Sequence, residues 1–208
     1  MGKIRKGALT GVIGPLAYSS YKGRQVIKTR PQFTADPTPA QIKQRSKLTV
    51  VNAFMKSIKK VVAVGFQDSD KLSAYNECVS ELLKNSLKFE NKVHRIDYPL
   101  VKISRGLLPV PEIESVEIDG KSISISWNTS TKNENSRKND ELYVLVHEEN
   151  GASVIFDGIG LRTGGSGVVN IPAEISQPYH VWLFYCNPKM HPYESKKKVS
   201  DSLYLGMF

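Results

Sequence analysis

The chain has 208 residues, of which 40% are hydrophobic and 24% are charged, a balance typical of a folded globular protein. No apolar run reaches the roughly 20 residues that a membrane-spanning helix needs, so we expect no membrane span. The two cysteines, Cys78 and Cys186, lie far apart without a CxxC partner, which argues against a disulfide framework and against a structural zinc site.

The charge is unevenly distributed along the chain. Residues 1–106 contain 20 Lys and Arg against 7 Asp and Glu, a net of +13, whereas residues 107–208 contain 9 against 13, a net of −4. Asp36 is the only acid among the first 60 residues. This asymmetry favours a basic half with a polyanionic or acidic partner, and a second half with a different role.

The first elements predicted in chain order are two short strands. The stretch AYSSYKGRQVIKTR, residues 17–30, places Tyr, Val and Ile on both sides of Lys22-Gly23, where glycine supplies the positive φ of a tight hairpin turn. The chain from Leu9 to Arg30 is glycine-rich and β-like, with Gly7, Gly11 and Gly14 in a looser lead-in. The stretch GALTGVIGPLAYSS is too polar for the apolar core of a signal peptide. We therefore expect a cytoplasmic protein.

Two helices follow the hairpin. Thr38-Pro39-Ala40-Gln41 has the T-x-x-Q pattern of a capping box with proline at the first helical position, and it predicts a helix that ends near Val64, before Gly65. The acids at Asp68–Asp70 favour the start of a second helix, which we expect to end near Lys88. The next stretch, VHRIDYPLVKIS, indicates an extended segment.

After Pro109 the hydrophobic period changes to two. KSISISW alternates serine with Ile123, Ile125 and Trp127, and further strand-like runs follow, namely ELYVLVHEE, ASVIFDG, GVVNIPA and YHVWLFYC. We therefore predict an α+β chain with an N-terminal β-hairpin and a two-helix region, followed by an antiparallel β-sandwich of the fibronectin type III or immunoglobulin kind. The predicted domains are a basic hairpin and helical domain, residues 1–106, and a sandwich domain, residues 107–208.

Two resemblances extend this prediction. The proline-rich entry PVPEIESVEIDG, the strand-ending Trp127 and the aromatic strand YHVWLFYCNP make residues 109–208 similar to a fibronectin type III-like sandwich. The SSYKG turn, the PTPAQIKQR helix start, Ser104-Arg105-Gly106 and the final SDSLYLG make the whole chain resemble an uncharacterised Bacteroidetes family, the domain of unknown function 6266. That family implies no activity and no functional residues.

The sequence contains no recognisable catalytic constellation. His94, His147, His180 and His191 form neither an HxH nor an HExxH pair, and His147 with its neighbouring acids is typical of a solvated strand edge. No GxSxG motif is present, and the positions of Cys78 and Cys186 indicate core packing. We expect a protein that is not an enzyme and that has no cofactor and no metal site.

Basic residues are the main functional lead. Arg24, Lys28 and Arg30 share one strand parity and hence one face, and Tyr18 and Tyr21 are positioned to stack on bases. The full predicted surface comprises Lys22, Arg24, Lys28, Arg30, Arg45, Lys56, Lys59 and Lys60. The favoured interpretation is a protein-interaction or assembly module that binds a protein partner or itself, and the alternative is nucleic-acid binding through the basic half.

Overall fold

The structure is a computed structural model of the chain, and it describes residues 3–5, 8–21, 23–30, 36–67, 72–131, 135–149, 151–187 and 198–208. The chain forms two compact units, Met1–Ile42 and Lys43–Phe208. The predicted domains, residues 1–106 and 107–208, stay a prediction.

The first unit contains an antiparallel sheet with the strand order β1-β2-β3-β4. The strands are β1 (Lys3–Arg5), β2 (Ala8–Ile13), β3 (Leu16–Tyr21) and β4 (Arg24–Thr29). The predicted hairpin is confirmed, because β3 and β4 pair across Gly23, which has φ +78. The β-like character predicted from Leu9 is confirmed, but the looser lead-in is wrong. Residues 8–13 form a strand that pairs with β3 around a turn at Gly14, where φ is +56.

Helix α1 runs from Pro39 to Gly65, as predicted. The capping box is confirmed, because the Thr38 amide donates to Gln41 Oε1 at 3.0 Å and the Gln41 amide donates to Thr38 Oγ1 at 3.3 Å. The apolar face of the helix is buried from Val51 onward, whereas its first two turns are exposed.

Helix α2 begins later and ends earlier than predicted. It spans Ala74–Asn85, and Ser73 caps it by accepting a hydrogen bond from the Asn76 amide at 3.3 Å. The predicted start at Asp68–Asp70 lies outside the described residues. The segment through Lys88 forms a hairpin instead, with β5 (Leu87–Glu90) and β6 (Val93–Ile96) paired around a turn at Asn91 and Lys92, which both have positive φ.

The remaining strands form two antiparallel sheets. They are β7 (Ile113–Asp119), β8 (Ser122–Trp127), β9 (Glu141–Glu148), β10 (Ser153–Phe156), β11 (Ser166–Asn170), β12 (Tyr179–Asn187), β13 (Lys198–Val199) and β14 (Leu203–Met207). One sheet has the order β11-β8-β7. The other has the order β10-β9-β12-β13, with β14 also paired to β12. Antiparallel sheets with two helices confirm the α+β class.

The central strands β9 and β12 are buried on both faces, which explains their continuous hydrophobic sequence. On one face, Tyr143, Leu145, Trp182 and Phe184 pack in a core cluster with the apolar side chains of α1 and α2. On the opposite face, Val144, Leu183 and Tyr185 belong to a second cluster, together with Ile123, Ile125 and Trp127 of β8. The second unit is therefore built around one sheet with a core on each side.

A set of polar contacts joins the segment after the helices to the segment before β14. The Ser104 hydroxyl donates to the Ser200 carbonyl at 2.8 Å, the Ile103 amide donates to Ser202 Oγ at 3.0 Å, and the Gly106 amide donates to Asp201 Oδ1 at 3.1 Å. Lys102 Nζ adds an ion pair with Asp201 at 2.8 Å. We call these contacts of residues 102–106 with residues 200–202 the serine–aspartate junction.

Gly106 is required by the close approach at this junction. A Cβ atom there would overlap the Val199 carbonyl, whereas a Cβ atom at Gly164 would meet no atom within 4 Å. We expect Gly106→Ala to lower the free energy of unfolding by about 1–3 kcal/mol through overpacking, and Gly164→Ala to change it little. Urea denaturation of both variants measures the difference, and equal stabilities would contradict the required close approach.

Candidate functional site

Two of the basic side chains predicted on the hairpin, Arg24 and Lys28, lie on one face of the N-terminal sheet. Register partners share a face, and Arg24 pairs with Tyr21 while Lys28 pairs with Ala17, so both cations project from the same side. Arg30 follows the end of β4, and its amide donates to the Pro15 carbonyl at 2.7 Å. All three cations are exposed. Lys22 lies outside the described residues.

The other predicted cations lie on α1 and are also exposed, namely Arg45, Lys56, Lys59 and Lys60. They belong to the second unit, whereas Arg24, Lys28 and Arg30 belong to the first. The seven described residues of the predicted surface therefore fall into two groups, three on or just after β4 and four on α1.

The two tyrosines that we expect to stack on bases lie on opposite faces of the sheet. Tyr18 pairs with Ile27, on the face opposite Arg24, whereas Tyr21 lies on the basic face and is 67% exposed. The two rings lie on different faces because residues 18 and 21 differ in strand parity. The basic face thus carries Tyr21 alone of this pair.

Two edge strands of opposite charge are available for pairing. Among the described strands, β4 pairs with β3 alone and β7 pairs with β8 alone. Exposed Arg24 and Lys28 lie on β4, while exposed Glu117 and Asp119 lie on β7. Each strand therefore presents a free row of backbone donors and acceptors beside charged side chains.

A cleft of about 900 Å³ lies beside the helix-facing side of the central sheet. Its wall includes Phe54 of α1, Tyr98 in a 3₁₀ turn after β6, and Tyr204 of β14. His147 of β9 and His180 of β12 complete this wall, and they are register partners on adjacent strands. Nothing in the sequence motifs pointed to this cleft.

Both histidines are buried within aromatic surroundings. His147 is 2% exposed and His180 5% exposed, so the expectation that His147 lies on a solvated edge is wrong. The Tyr98 ring stacks on the His180 ring with centroids 3.8 Å apart, and the Phe54 ring meets the His147 ring edge-on at 4.9 Å. These contacts fix the two imidazole planes.

Hydroxyl groups bond one nitrogen of each imidazole ring. His147 Nδ1 lies 2.7 Å from Ser153 Oγ, and His180 Nδ1 lies 2.8 Å from Tyr204 Oη. His180 Nε2 is buried and has no hydrogen-bond partner among the described residues. The Ser153 and Tyr204 hydroxyls therefore determine which nitrogen of each ring makes a side-chain hydrogen bond.

The buried histidines are neutral at physiological pH. Burial, with a smaller contribution from nearby His180, lowers the pKa of His147 from 6.5 to about 4. Burial also lowers the pKa of His180, although Glu149 partly opposes the change. Burial raises the pKa of Tyr98 and of Tyr204, so both phenols keep their protons.

Charged groups of both signs surround the cleft opening. Lys88 and Arg95 supply two cations, and Glu90, Asp97 and Glu149 supply three carboxylates. Lys88 Nζ pairs with Glu90 at 3.5 Å. The charges at the rim therefore nearly cancel.

The cysteines do not contribute reactive groups. Cys78 and Cys186 are both fully buried, as predicted, and burial raises the pKa of the Cys78 thiol to about 12. In the part of the chain that the structure describes, no group of three or more His, Cys, Asp or Glu side chains is arranged to hold a metal ion. His191 lies outside this part.

The depressed pKa of His147 predicts a pH-dependent stability. The unfolded state binds a proton below pH 6.5 and the folded state only near pH 4, so stability is complete above pH 6.5 and falls as the pH decreases toward 4. We expect His147 to account for about 3 kcal/mol of the free energy of unfolding that is lost over this pH range. Urea denaturation from pH 7 to pH 4 should give a shallower decline for His147→Gln than for the wild type, and identical declines would contradict the assignment.

Comparison with known proteins identifies the family. The family described as "Family of unknown function (DUF6266)" matches residues 6–206, which is nearly the whole chain. No curated protein and no solved structure matches. In the described residues, no helix is long and apolar enough to cross a membrane. The family resemblance drawn from the sequence motifs is confirmed, and the chain belongs to the DUF6266 family of unknown function.

Proposed function

We propose that this protein is a non-enzymatic assembly module that self-associates by pairing the β4 edge of one copy with the β7 edge of another. The observation that carries the proposal is the pair of free edge strands with opposite charge. Strand addition of this kind supplies main-chain hydrogen bonds, and the side chains on each face determine which strands pair.

The N-terminal sheet supports this proposal because the side chains that the structure describes in it form no buried core. None of the side chains described in residues 9–21, 23–30 and 36–42 is fully buried. One face carries Leu9, Ile13, Leu16, Tyr18 and Ile27, and Ile27 is 56% exposed. A sheet with an apolar face gains stability when another layer or strand covers it.

The two edges also match face for face. On β7, Val116 and Ile118 pair with Ile125 and Ile123 of the buried cluster, so they lie on the core side, whereas Glu117 and Asp119 lie on the outer side. On β4, Ile27 lies on the face opposite Arg24 and Lys28. Joining the strands would align apolar with apolar side chains on one face and basic with acidic side chains on the other.

Charge reversal tests the proposed contact in two complementary variants. Arg24→Glu/Lys28→Glu leaves both edges acidic, and Glu117→Lys/Asp119→Lys leaves both edges basic, so each variant alone should remain monomeric. An equimolar mixture restores opposite charges at every contact and should associate again. Sedimentation velocity over a wide range of concentrations measures these states.

A matched control separates the local contact from net charge. Lys56→Glu/Lys59→Glu changes the net charge by the same amount as the β4 variant but alters exposed side chains of α1. This control should associate like the wild type. A wild type that stays monomeric at all concentrations, or two charge-reversed variants that fail to associate when mixed, would overturn the assembly proposal.

Nucleic-acid binding is the second candidate, and the basic face of the N-terminal sheet favours it. Tyr21 lies beside Arg24, with Lys28 on the same face. An exposed aromatic ring next to cations is the arrangement that proteins use to stack single-stranded bases and contact phosphates.

This alternative makes a distinct prediction about salt. If Arg24, Lys28 and Arg30 each neutralise one phosphate, the logarithm of affinity for single-stranded RNA falls against the logarithm of salt concentration with a slope of about −2. Tyr21→Ala should weaken binding at every salt concentration. Electrophoretic retardation tests this, and the absence of retardation of RNA and DNA at low salt excludes the alternative.

We also propose the kind of β-sandwich and the lineage of the protein. The buried cluster shared by β8, β9 and β12 supports a sandwich of the fibronectin type III kind. The membership of a Bacteroidetes lineage rests on the motif resemblance.

A further inference from the structure

Two large apolar side chains are exposed at the tip of the β5–β6 hairpin. Phe89 is 59% exposed and Val93 is 53% exposed, and they flank the turn formed by Asn91 and Lys92. Neither Phe89 nor Val93 belongs to one of the two core clusters. The hairpin tip, residues 89–93, therefore exposes apolar surface that the packing of the second unit does not use.

The two apolar side chains lie on opposite faces of the hairpin. Phe89 pairs with His94, whereas Val93 pairs with Glu90, and successive residues of a strand alternate between faces. A nucleic-acid base stacked on Phe89, or a peptide packed on one face, would leave the other apolar side chain exposed. A medium that surrounds the tip covers both side chains at once.

Helix α1 places two lysines beside the tip. Lys43 and Lys47 are four positions apart and share one face of the helix, and Lys43 Nζ lies 6.0 Å from the centroid of the Phe89 ring. Ser46 Oγ lies 2.9 Å from His94 Nδ1, which connects the same turns of α1 to β6. Burial, and then the positive charges of Lys47 and Lys43, lower the pKa of His94. The lysines therefore create a positive potential at the base of the apolar tip.

The hairpin itself adds more cations than acids. Lys92 lies in the turn, and Lys88 and Arg95 are register partners on the same face as Val93. Glu90 is the one acid of the hairpin sequence, and it pairs with Lys88 at 3.5 Å. Helix α1 contains no Asp or Glu. The cations of this surface are Lys43, Lys47, Lys88, Lys92 and Arg95.

The acids at the cleft rim lie at the other end of the hairpin. Asp97 follows the end of β6, and the Glu149 carbonyl accepts a hydrogen bond from the Tyr98 hydroxyl at 3.4 Å. Five residues of strand separate Asp97 from the turn at Lys92, a distance of roughly 17 Å. Because charges on an exposed surface are largely screened beyond roughly 10 Å, these acids do not neutralise the tip.

An apolar tip surrounded by cations has the chemistry of a site that binds an anionic lipid surface. Apolar side chains insert between the lipid headgroups, while lysine side chains extend along the apolar surface and reach the phosphates. We propose that the hairpin tip, together with Lys43 and Lys47, docks this protein onto a membrane surface rich in anionic lipids. The tip is separate from the β4 and β7 edges of the proposed assembly, so either proposal can fail without the other.

The direct test is flotation of the full chain with phosphatidylcholine vesicles that contain or lack phosphatidylserine. At physiological salt the protein should float with the anionic vesicles and stay behind with the neutral ones. Lys43→Gln/Lys47→Gln should weaken the binding roughly thirtyfold, because each lysine near an anionic surface contributes about one kcal/mol. Lys56→Gln/Lys59→Gln removes the same charge from α1 roughly 20 Å further along the helix, and it should bind like the wild type.

A fluorescent variant reports insertion of the tip directly. Trp127 and Trp182 are 1% and 0% exposed, so brominated lipids should not quench them. Phe89→Trp should be quenched by brominated anionic vesicles, whereas Val168→Trp, at a position that is 55% exposed on β11, should not.

The two measurements remain decisive if the lysine variant fails to fold, because the wild type and Phe89→Trp test binding and insertion without it. The proposal is overturned if the wild type does not bind anionic vesicles, or if it binds neutral vesicles equally well. It is also overturned if Phe89→Trp is not quenched, or if single-stranded RNA displaces the protein from the vesicles, which would assign the lysines to nucleic acid.

Discussion

The second unit depends on the serine–aspartate junction, which closes the chain across nearly a hundred residues. Ser104 and Ser200 are fully buried there, and the Ser200 hydroxyl also accepts a hydrogen bond from the Tyr185 amide of β12 at 2.9 Å. The Arg105 amide donates to the carbonyl of Gly65, the last residue of α1, at 2.9 Å. The junction therefore connects the end of a helix, the segment entering the β-rich region and the central strand, and it satisfies backbone groups that no regular ladder reaches.

This closure determines where the two cores and the cleft lie. With α1 held at the junction, the helices cover one face of β9 and β12 over Tyr143, Leu145, Trp182 and Phe184. At the other end of these strands, His147 and His180 meet Phe54 and the 3₁₀ turn at Tyr98. There aromatic and imidazole rings line the cleft together with aliphatic side chains such as Val50 and Ile96. The arrangement that buries the histidines thus also lowers the pKa of His147.

Short sequence patterns predicted the helices and strands that depend on contacts within a few residues. The capping box at Thr38 and Gln41 placed the start of α1, and the alternation in KSISISW placed β8, because each pattern describes bonds or faces within a few residues. The bounds of strand β2 were not predicted because Gly11 and Gly14 resemble loop residues, although Gly14 supplies the turn that pairs β2 with β3. The cleft was not predicted because His147 and His180 are 33 positions apart in the sequence and meet only through strand register. Their strand parities, shared with Leu145 and Trp182, were the available sign that both face the core.

The charges on the edge strands constrain the geometry of the proposed assembly. Charged edge residues commonly prevent edge-to-edge pairing, and here they would repel β4 from another β4 and β7 from another β7. A contact between identical edges, as in a two-fold dimer, is therefore disfavoured, while the unlike combination is attractive. The β-bulge between Ile113 and Ser115 further limits regular pairing to the later part of β7, where Glu117 and Asp119 lie. A head-to-tail contact of this kind leaves one β4 edge and one β7 edge unpaired at the ends, so copies add until a ring closes or a chain continues.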